Sequence, residues 1–415
     1  MEPTANSQPP TAKRHIRIGL IREGKIPPDK RVPFTPLQAE EIQQRFKGVK
    51  VICQSSEVRA FRDEEYHEHG IEVAQDVSDC HILMGIKEVP VADLIADKMY
   101  LFFSHTLKKQ PYNKKLLQEI LKKNITLIDY EALKDRHGNR LVAFGRYAGI
   151  VGAYNALLTY GKRFGLFSLR RAYECFDVND LKRELRKVQL PPIKIILTGA
   201  GRVGRGSMET LDTANIRKVN AHDFLHATFD EPVYVQLSSA DYHKRRNGGA
   251  FNRDEFHRHP ERYDSFFKVF ANVADVLIAG AYWNPKAPVL FTPADMVQPS
   301  FKLRVIADIT CDINGSIPST KKASTIVEPI YDYDPATDSV KRPLSGETFI
   351  TVMAIDNLPC ELPRSASEEF GRDLIDRILP VLIGKDKEQV VARATITRNG
   401  RLTENFVYLE DYVSV

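Results

Sequence analysis

Short runs of hydrophobic residues alternate, along the first third of the chain, with stretches in which hydrophobic positions repeat at helical spacing. The hydrophobic runs include "IRIGLI", "VKVICQ", "CHILMGI", "MYLFFS" and "ITLID", and the helical pattern appears in "PLQAEEIQQRF" and "YNKKLLQEILKK". Strands that alternate with helices in this way predict a parallel sheet covered by helices. The first domain is therefore predicted to be α/β.

A long helix and a second α/β unit are predicted next. The segment "RYAGIVGAYNALLTYGKRFG" has hydrophobic residues at helical spacing and small residues that permit close packing against a neighbour. After a polar segment over 165–190, "PPIKIILTGAGRVGRGSMETL" begins the second unit. Its later strands are predicted at "VYVQLS", "VLIAGAY" and "LRVIADIT".

The C-terminal region is predicted to complete the first domain. A helix is expected in "PRSASEEFGRDLIDRIL", capped by Ser365 or Ser367 and with Glu368 and Glu369 in its first turn. We expect it to pack on the first domain, which would then be discontinuous. The predicted organisation is a disordered N-terminus over 1–14, a substrate and catalytic domain over 15–155 completed by 355–415, and a dinucleotide-binding Rossmann domain over 165–350.

Composition and charge exclude several classes of protein. The chain has 415 residues, 43% of them hydrophobic and 27% charged, which is enough for two globular domains. The net charge of +5 is spread over segments of mixed sign, so no nucleic-acid partner is predicted. No hydrophobic run is long enough to span a bilayer and the N-terminus lacks the hydrophobic core of a signal peptide, so we predict a cytoplasmic protein without a membrane partner.

Five cysteines are scattered along the chain without CxxC spacing. Neither a disulfide framework nor a thiolate zinc site is therefore predicted, and the thiols are interpreted as small buried hydrophobic residues. The segment "FHRHPERY" contains two histidines and a glutamate, but its H-x-H-P-E spacing fits no common metal site. No metal is predicted.

The glycine-rich segment "KIILTGAGRVGRG" follows one predicted strand and precedes a predicted helix. Gly199, Gly201 and Gly204 have G-x-G-x-x-G spacing, and Arg202 and Val203 lie between the last two glycines. In this context the first glycine permits a tight turn, the second lets a pyrophosphate approach the backbone, and the third allows close packing of helix and strand. These five residues are predicted to bind a dinucleotide.

The choice between NAD and NADP depends on the end of the following strand. An NAD site commonly has an acidic residue about 20 residues after the first glycine, to bind the ribose. Here Asn220 occupies that position, Lys218 and His222 flank it, and Asp223 comes slightly late. An uncharged residue with basic neighbours favours NADP, whereas Asp223 would serve NAD if the strand runs longer.

Candidate acid–base residues lie at two predicted strand ends of the first domain. Lys87 follows "ILMG" and His105 follows "LFFS", at the edge of an open α/β sheet where ligands bind. Desolvation lowers the pKa of a lysine, and histidine titrates near neutral pH, so the two side chains could serve as base and acid. The alternative is that both are ordinary polar residues at strand ends.

Three further charged residues have a similar ambiguity. Arg31 presents a planar guanidinium that matches a carboxylate, or it is a surface charge. Glu88 and Glu131 could tune the lysine and the histidine, or they could be exposed acids.

Several long blocks resemble one family. In chain order they are "REGKIPPDKRVPFTP", "MGIKEVP", "FFSHTLK", "LIDYEAL", "GNRLVAFGRYAG", "HPERY", "AGAYW", "ADITCDINGSI" and "MAIDNLPCELPRSASEEFG". Together they resemble the lysine-2-oxoglutarate reductase half of the bifunctional lysine-degrading enzyme and, more distantly, fungal saccharopine dehydrogenase of the lysine-forming type. Both belong with alanine dehydrogenase and nicotinamide nucleotide transhydrogenase.

The resemblance implies roles for single residues. Lys87 and His105 match the family's acid–base pair, Arg31 the arginine that binds a substrate carboxylate, and Glu88 and Glu131 the acids that modulate the pair. Arg140 matches a further arginine of the family's cleft, and Asp312 and Asp356 match two family positions near the nicotinamide. The family is metal-independent. The implied fold is two Rossmann-like α/β domains with parallel sheets and the active site in the cleft between them.

The function implied is reversible, NAD(P)-dependent interconversion of saccharopine with L-lysine and 2-oxoglutarate. The second half of the bifunctional enzyme does not follow in this sequence, so we expect only one of its two steps. Asn220 departs from the acid that the fungal enzyme has at the ribose position, which favours NADP. The alternatives are an alanine-dehydrogenase-like enzyme and an inactive nucleotide-binding relative. The sequence does not decide the oligomeric state.

Overall fold

The computed structural model describes residues 15–414, which form two compact units. Unit 1 contains the chain up to Ala143 and again from Pro363, and unit 2 is Phe144–Leu362. The predicted disorder of residues 1–14 lies outside the described residues. The units divide after Ala143 and after Leu362, whereas the predicted boundaries were at 155, 165 and 355. The main reason for the difference is that the long helix that follows Phe144 belongs to unit 2.

The first segment of unit 1 alternates strands and helices as the hydrophobic pattern predicts. Its first helix begins at Pro36, where Thr35 and Gln38 form a capping box. The elements are β1 (Ile16–Leu20), α1 (Pro36–Arg45), β2 (Val49–Gln54), α2 (Asp63–Glu68), β3 (Glu72–Ala74), β4 (Ile82–Met84), β5 (Met99–Phe102), α3 (Lys114–Lys122) and β6 (Thr126–Asp129).

Unit 2 begins with the long predicted helix and contains the glycine-rich turn. Its helices are α4 (Gly145–Phe164), α5 (Val178–Leu185), α6 (Arg202–Thr213), α7 (Ala221–His226), α8 (Ser239–Tyr242), α9 (Arg253–Arg258), α10 (Lys268–Ala271) and α11 (Pro293–Met296). Its strands are β7 (Lys194–Thr198), β8 (Arg217–Val219), β9 (Val233–Leu237), β10 (His243–Arg245), β11 (Tyr263–Ser265), β12 (Val276–Ala279), β13 (Val305–Asp308), β14 (Ile330–Asp334), β15 (Ser339–Lys341) and β16 (Ile350–Met353).

The chain then completes unit 1 with α12 (Pro363–Asp373), a π-helical turn (Leu374–Ile378), α13 (Leu379–Leu382), α14 (Val390–Ala394), β17 (Thr395–Arg398), β18 (Arg401–Leu402) and α15 (Glu410–Val413). The predicted capping by Ser365 or Ser367, with Glu368 and Glu369 in the first turn, is wrong, because α12 begins earlier, at Pro363, and its first turn contains no acidic residue. The Ser367 hydroxyl instead donates to the Pro363 carbonyl (2.7 Å) and accepts the Val32 N–H (2.9 Å).

Short 3₁₀ turns occur at Val91–Asp93, Pro111–Asn113, Tyr130–Ala132, Ala172–Glu174, Pro260–Arg262, Leu358–Glu361 and Glu404–Leu409.

Each unit is built on one eight-stranded sheet. In unit 1 the order is β18-β17-β6-β5-β4-β1-β2-β3, and in unit 2 it is β15-β14-β16-β13-β12-β7-β9-β8. The six strands β1–β6 of unit 1 pair in parallel, as do β16, β13, β12, β7, β9 and β8 of unit 2. Two antiparallel strands are added at one edge of each sheet, so the prediction of two parallel α/β sheets is confirmed for their central strands.

Helices α4 and α6 pack closely in unit 2 through small residues. A Cβ atom added to Gly149 would lie 1.9 Å from the Val203 carbonyl oxygen, and one added to Gly206 would lie 2.0 Å from the Arg146 carbonyl oxygen. The backbones of the two helices therefore touch, as the small residues of α4 predict. This contact places the helix that follows the glycine-rich turn. Over residues 15–414, the helices include none with the length and hydropathy needed to cross a bilayer.

Candidate functional site

The parallel register of unit 1 brings the candidate acid–base residues to one edge of its sheet. Met84 of β4 pairs with Leu101 of β5, and Phe102 pairs with Asp129 of β6, so the three strands end side by side. Lys87 follows β4 by three residues, His105 follows β5 by three, and Glu131 follows β6 by two. The backbone contact continues beyond the strands, where the Phe103 N–H donates to the Ile86 carbonyl (3.0 Å).

Glu88 joins the two loops that carry Lys87 and His105. Its Oε1 lies 2.7 Å from Nδ1 of His105, and it accepts hydrogen bonds from Lys25 Nζ (3.0 Å to Oε2) and Asn113 Nδ2 (3.1 Å). The side chain is only 9% exposed. Although this burial alone would raise the pKa of Glu88, the hydrogen bond and charge of His105 hold that pKa well below its ordinary value. Glu88 therefore orients His105 through Nδ1, and Nε2 is the candidate ring nitrogen for proton exchange.

The loop that carries His105 is held in place by a buried carboxyl group. His105 has a positive φ of 51°, which is uncommon for a residue other than glycine. On its N-terminal side, the Ser104 N–H and hydroxyl both donate to Asp129 Oδ2, at 2.8 and 2.5 Å. The other oxygen of Asp129 accepts the Glu131 N–H (2.7 Å). Through these hydrogen bonds Asp129 connects the ends of β5 and β6. Burial raises the pKa of its carboxyl group.

Glu23 is a residue of this edge that the sequence analysis missed. It lies three residues after β1, and its carboxyl oxygens accept the N–H groups of Ile86 (2.5 Å) and Lys87 (2.9 Å). Burial, followed by the nearby charge of Asp29, raises its pKa to about 8. Its partners are backbone groups more than 60 residues away, so only the position of "REGK" after a strand could have drawn attention to it.

The remaining predicted substrate-binding residues form two ion pairs within unit 1. Arg31 is 3% exposed and donates from Nε (3.0 Å) and Nη2 (2.5 Å) to the two oxygens of Asp29. Arg140 is 47% exposed and pairs with Glu131 through a hydrogen bond from Nη2 to Oε1. Asp29 was also missed by the sequence analysis. A substrate contact by either arginine stays a prediction.

Removing the charge of Glu88 should weaken the fold in a pH-dependent way. Because the folded protein lowers the pKa of Glu88, its stabilisation is fully present above the ordinary pKa of 4.5 and is lost as the pH falls through the folded value. We expect Glu88→Gln to lower the free energy of unfolding by about 1–3 kcal/mol at pH 7. The difference from wild type should shrink below pH 4.5. Urea denaturation at several pH values measures it, and a pH-independent difference would contradict the assignment.

The glycine-rich turn of unit 2 has the geometry predicted for a dinucleotide. Gly199 has a φ of +99°, and a Cβ atom on Gly204 would lie 2.2 Å from the Gly199 carbonyl oxygen. Gly201 precedes the first residue of α6, and a Cβ atom there would meet nothing within 4 Å. Arg202 and Val203 form the first turn of this 12-residue helix, whose N-terminal N–H groups suit a phosphate. The residues present fit the pyrophosphate of a nicotinamide dinucleotide.

Asn220 lies directly after β8 and caps α7. Its Oδ1 accepts the Asp223 N–H (2.9 Å), and its Nδ2 donates to Asp223 Oδ2 (2.7 Å). The His222 ring lies 3.5 Å from the other oxygen of Asp223 and is 81% exposed. Asp223 is therefore engaged by its neighbours within the α7 turn, and Asn220 is the residue at the end of the strand, as predicted.

Asp312 and Asp356 follow neighbouring parallel strands of unit 2. Asp312 comes four residues after β13 and Asp356 three residues after β16, and both are exposed. Between them, Cys311 Sγ contacts the Ala354 carbonyl oxygen (3.1 Å). Burial, with Asp308, Asp356 and Asp312 adding negative charge, raises the pKa of Cys311 to about 12. The two aspartates thus share one sheet edge with the glycine-rich turn, because β7, β12, β13 and β16 are parallel.

The five thiols are free, and four are buried while Cys311 is partly exposed. Across residues 15–414, no group of three or more histidine, cysteine, aspartate or glutamate side chains is arranged to hold a metal ion. In "FHRHPERY", α9 ends at Arg258 and His259 instead lies 3.3 Å from Glu261.

Comparisons with known proteins agree with the motifs. Residues 19–151 match the family model described as alanine dehydrogenase/PNT, N-terminal domain. The mitochondrial alpha-aminoadipic semialdehyde synthase of Mus musculus is 32% identical over 441 residues, which cover 95% of this chain and 47% of the mouse protein. The saccharopine dehydrogenase (NAD(+), L-lysine-forming) of Neurospora crassa is 27% identical over 367 residues, covering 84% of this chain and 87% of that protein.

Among solved structures, an L-alanine dehydrogenase superposes with a TM-score of 0.62 at 15% identity, covering 96% of this chain and 99% of that chain, which shows a shared fold. The chain spans about half the length of the mouse synthase that it matches. The resemblance predicted from the motifs is confirmed. Residues 19–151 thus match the alanine dehydrogenase/PNT family, and the whole chain is similar to alpha-aminoadipic semialdehyde synthases and lysine-forming saccharopine dehydrogenases.

Proposed function

We propose that this protein catalyses the reversible, NAD(P)-dependent interconversion of saccharopine with L-lysine and 2-oxoglutarate. The observation that carries the proposal is the hydrogen bond between Glu88 and His105 Nδ1 directly beside Lys87, at the carboxyl edge of a sheet. The similarity of this chain, over 95% of its length, to the alpha-aminoadipic semialdehyde synthase of Mus musculus supports the proposal.

In the direction of saccharopine formation, the ε-amine of lysine attacks the keto carbon of 2-oxoglutarate. His105 exchanges a proton through Nε2 with the oxygen of the carbinolamine, which leaves as water, and the Lys87 amine accepts the proton that the substrate amine loses. A bound reduced nicotinamide supplies the hydride that reduces the resulting imine to the secondary amine of saccharopine. Glu88 holds His105 by Nδ1, so the histidine can gain and lose its proton without turning.

The other predicted residues have supporting roles in the proposal. Arg31 and Arg140, which pair with Asp29 and Glu131 in unit 1, bind substrate carboxylates in this proposal. Glu131 modulates the acid–base pair, as the family resemblance implies. Gly199, Gly201 and Gly204 would hold a dinucleotide, which would supply the hydride, and Asp312 and Asp356 match the family positions near the nicotinamide.

Absorbance of the reduced nicotinamide tests the reaction directly. The purified protein is mixed with lysine, 2-oxoglutarate and either NADH or NADPH, and each amino-acid or keto-acid substrate is omitted in turn. Oxidation that needs both substrates supports the proposal. Oxidation with ammonia and pyruvate instead would favour the alanine-dehydrogenase-like alternative, and nucleotide binding without any oxidation would favour an inactive relative. Either result would overturn the proposed function.

We also propose that NADPH is preferred over NADH. Asn220 places an uncharged amide at the end of β8, and the Asp223 carboxylate is already bonded to that amide. The Neurospora crassa relative is NAD-linked by name, so the preference is a difference that must be measured.

A cytoplasmic location stays a prediction, because the name of the mouse relative assigns that protein to mitochondria.

Changing Asn220 should change this preference. Asn220→Asp introduces a carboxylate that repels a 2′-phosphate and can accept from a ribose hydroxyl. We expect the ratio of kcat/KM for NADPH to that for NADH to fall by about 10-fold, the equivalent of about 1.4 kcal/mol. Asn247→Asp, at an exposed residue in the turn that follows β10, is the matched control. An unchanged ratio in Asn220→Asp would exclude this position as the determinant.

A further inference from the structure

Glu23 reaches the turn that carries Lys87 because their strands are neighbours. Strands β1 and β4 pair in parallel, with Leu20 opposite Met84, and the Ile21 N–H donates to the Met84 carbonyl (3.0 Å). The loops after β1 and β4 therefore leave the same edge of the sheet side by side. From this position both oxygens of Glu23 accept from consecutive N–H groups, Ile86 at 2.5 Å and Lys87 at 2.9 Å.

A carboxylate bound to two consecutive N–H groups fixes the orientation of the peptide between them. That peptide leads directly into the Cα atom of Lys87, so it sets the direction in which the lysine side chain leaves the backbone. Gly85 permits this approach, because a Cβ atom there would lie 2.9 Å from the Ile21 side chain and 3.3 Å from Glu23 Oε1. The Ile86 carbonyl is engaged on the other side by the Phe103 N–H (3.0 Å).

We propose that Glu23 is a positioning residue for Lys87. Its ionised carboxylate binds the backbone at Ile86 and Lys87 and thereby holds Lys87 in the orientation needed for proton transfer. This inference rests on the proposed function. Protonation of Glu23 turns one of its two acceptor oxygens into a hydroxyl and weakens one of the two hydrogen bonds. The orientation of Lys87 is therefore coupled to a proton on a group that does not itself meet the substrate.

The charged groups around Glu23 place this coupling near pH 8. Asp29 raises the pKa of Glu23 in addition to burial, whereas the two backbone hydrogen bonds and Arg31 lower it, with a net value of about 8. On the side of β6, Tyr130 is fully buried, and the charge of Glu23 contributes to raising the pKa of its hydroxyl. Along the chain, the charged neighbours of Glu23 are Arg22 and Lys25, and Lys25 Nζ donates to Glu88 Oε2 (3.0 Å). Below about pH 8 Glu23 is mostly protonated, and above it the two-point anchor is complete.

Glu23→Gln tests the proposal, because the amide has the same size but only one acceptor oxygen and does not titrate. Above about pH 8, where Glu23 of wild type is mostly ionised, we expect the substitution to lower kcat by about 10- to 100-fold, because small misplacements of a reacting group have effects of this size. The Kd for the nucleotide should stay within about 2-fold of wild type. The rise of kcat with pH near pH 8 that Glu23 contributes should be absent in the variant. Glu23→Asp keeps the charge and should recover part of kcat and of the pH dependence.

Hydrogen–deuterium exchange supplies a readout that does not depend on turnover. The amides of Ile86 and Lys87 should exchange faster in Glu23→Gln than in wild type, and in wild type their exchange should slow, relative to the intrinsic rate, as Glu23 ionises. Glu57→Gln, an exposed residue of unit 1, is the matched control and should match wild type in both experiments.

The two possible failures are distinguishable. If wild type shows no turnover with lysine and 2-oxoglutarate but the amide protection depends on Glu23, the proposed function fails while the structural anchor stands. If wild type is active and Glu23→Gln keeps its kcat and its pH profile, the positioning role is overturned. A loss of kcat without a change in the pH profile or in amide exchange would likewise overturn it.

Discussion

Replacing Lys87 with methionine is expected to lower kcat for lysine and 2-oxoglutarate by about 100- to 10,000-fold, the range that one general acid–base group contributes. This is equivalent to about 3–5 kcal/mol of transition-state stabilisation. Methionine retains most of the length of the side chain but cannot accept or donate the proton. The two hydrogen bonds of Glu23 in this turn include the Lys87 backbone N–H, which the substitution leaves in place.

The nucleotide should still bind to Lys87→Met, because the glycine-rich turn belongs to unit 2 and Lys87 to unit 1. Fluorescence titration with the reduced nucleotide and steady-state kinetics measure the two properties separately. Lys115→Met, an exposed position on α3, is the matched control and should behave as wild type. Turnover of Lys87→Met within a few-fold of wild type would refute the role that we assign to this lysine.

Gly201→Val should abolish nucleotide binding while leaving the fold intact. A Cβ atom at Gly201 meets no protein atom within 4 Å, and the φ of −79° is accessible to any residue, so the chain itself tolerates the change. The added methyl groups would instead occupy the space through which a pyrophosphate approaches the backbone. We expect nucleotide affinity to fall by at least about 100-fold, or about 2.7 kcal/mol.

Gly204→Ala provides the contrasting result. Its Cβ atom would lie 2.2 Å from the Gly199 carbonyl oxygen, so the turn must shift and the protein should lose stability as well as affinity. Thermal unfolding and nucleotide titration on both variants separate the two effects. Wild-type affinity in Gly201→Val would show that the dinucleotide does not use this turn.

Local patterns were sufficient for the elements and for the positions of most candidate residues. The alternation of strands and helices predicted β1, β2, β4, β5 and β6 together with α1 and α3. The glycine spacing predicted the turn before α6, because glycine is needed there for local reasons, either a backbone conformation that other residues rarely adopt or close packing. The family motifs singled out Lys87, His105 and Glu88, of which the last two are in direct contact.

The errors and omissions have a common physical origin. The helix α12 begins at Pro363 and not at Ser365 or Ser367, because proline suits the first helical position and Ser367 is used by Val32, more than 300 residues away. Glu23 and Asp129 were missed for the same reason. Their partners are mainly backbone N–H groups of neighbouring loops, which carry no side-chain signature in the sequence.

The amino-acid sequence by itself determined the α/β class, the order of the main elements and the glycine-rich turn. These depend on periodicity and glycine placement, which are local properties, whereas the candidate acid and base were identified through the family resemblance. Only the tertiary structure decided which groups meet: Glu88 with His105, Glu23 with the backbone of Lys87, and Arg140 with Glu131. Such contacts follow from the pairing and register of strands distant in the chain, since register sets which loops leave a sheet side by side.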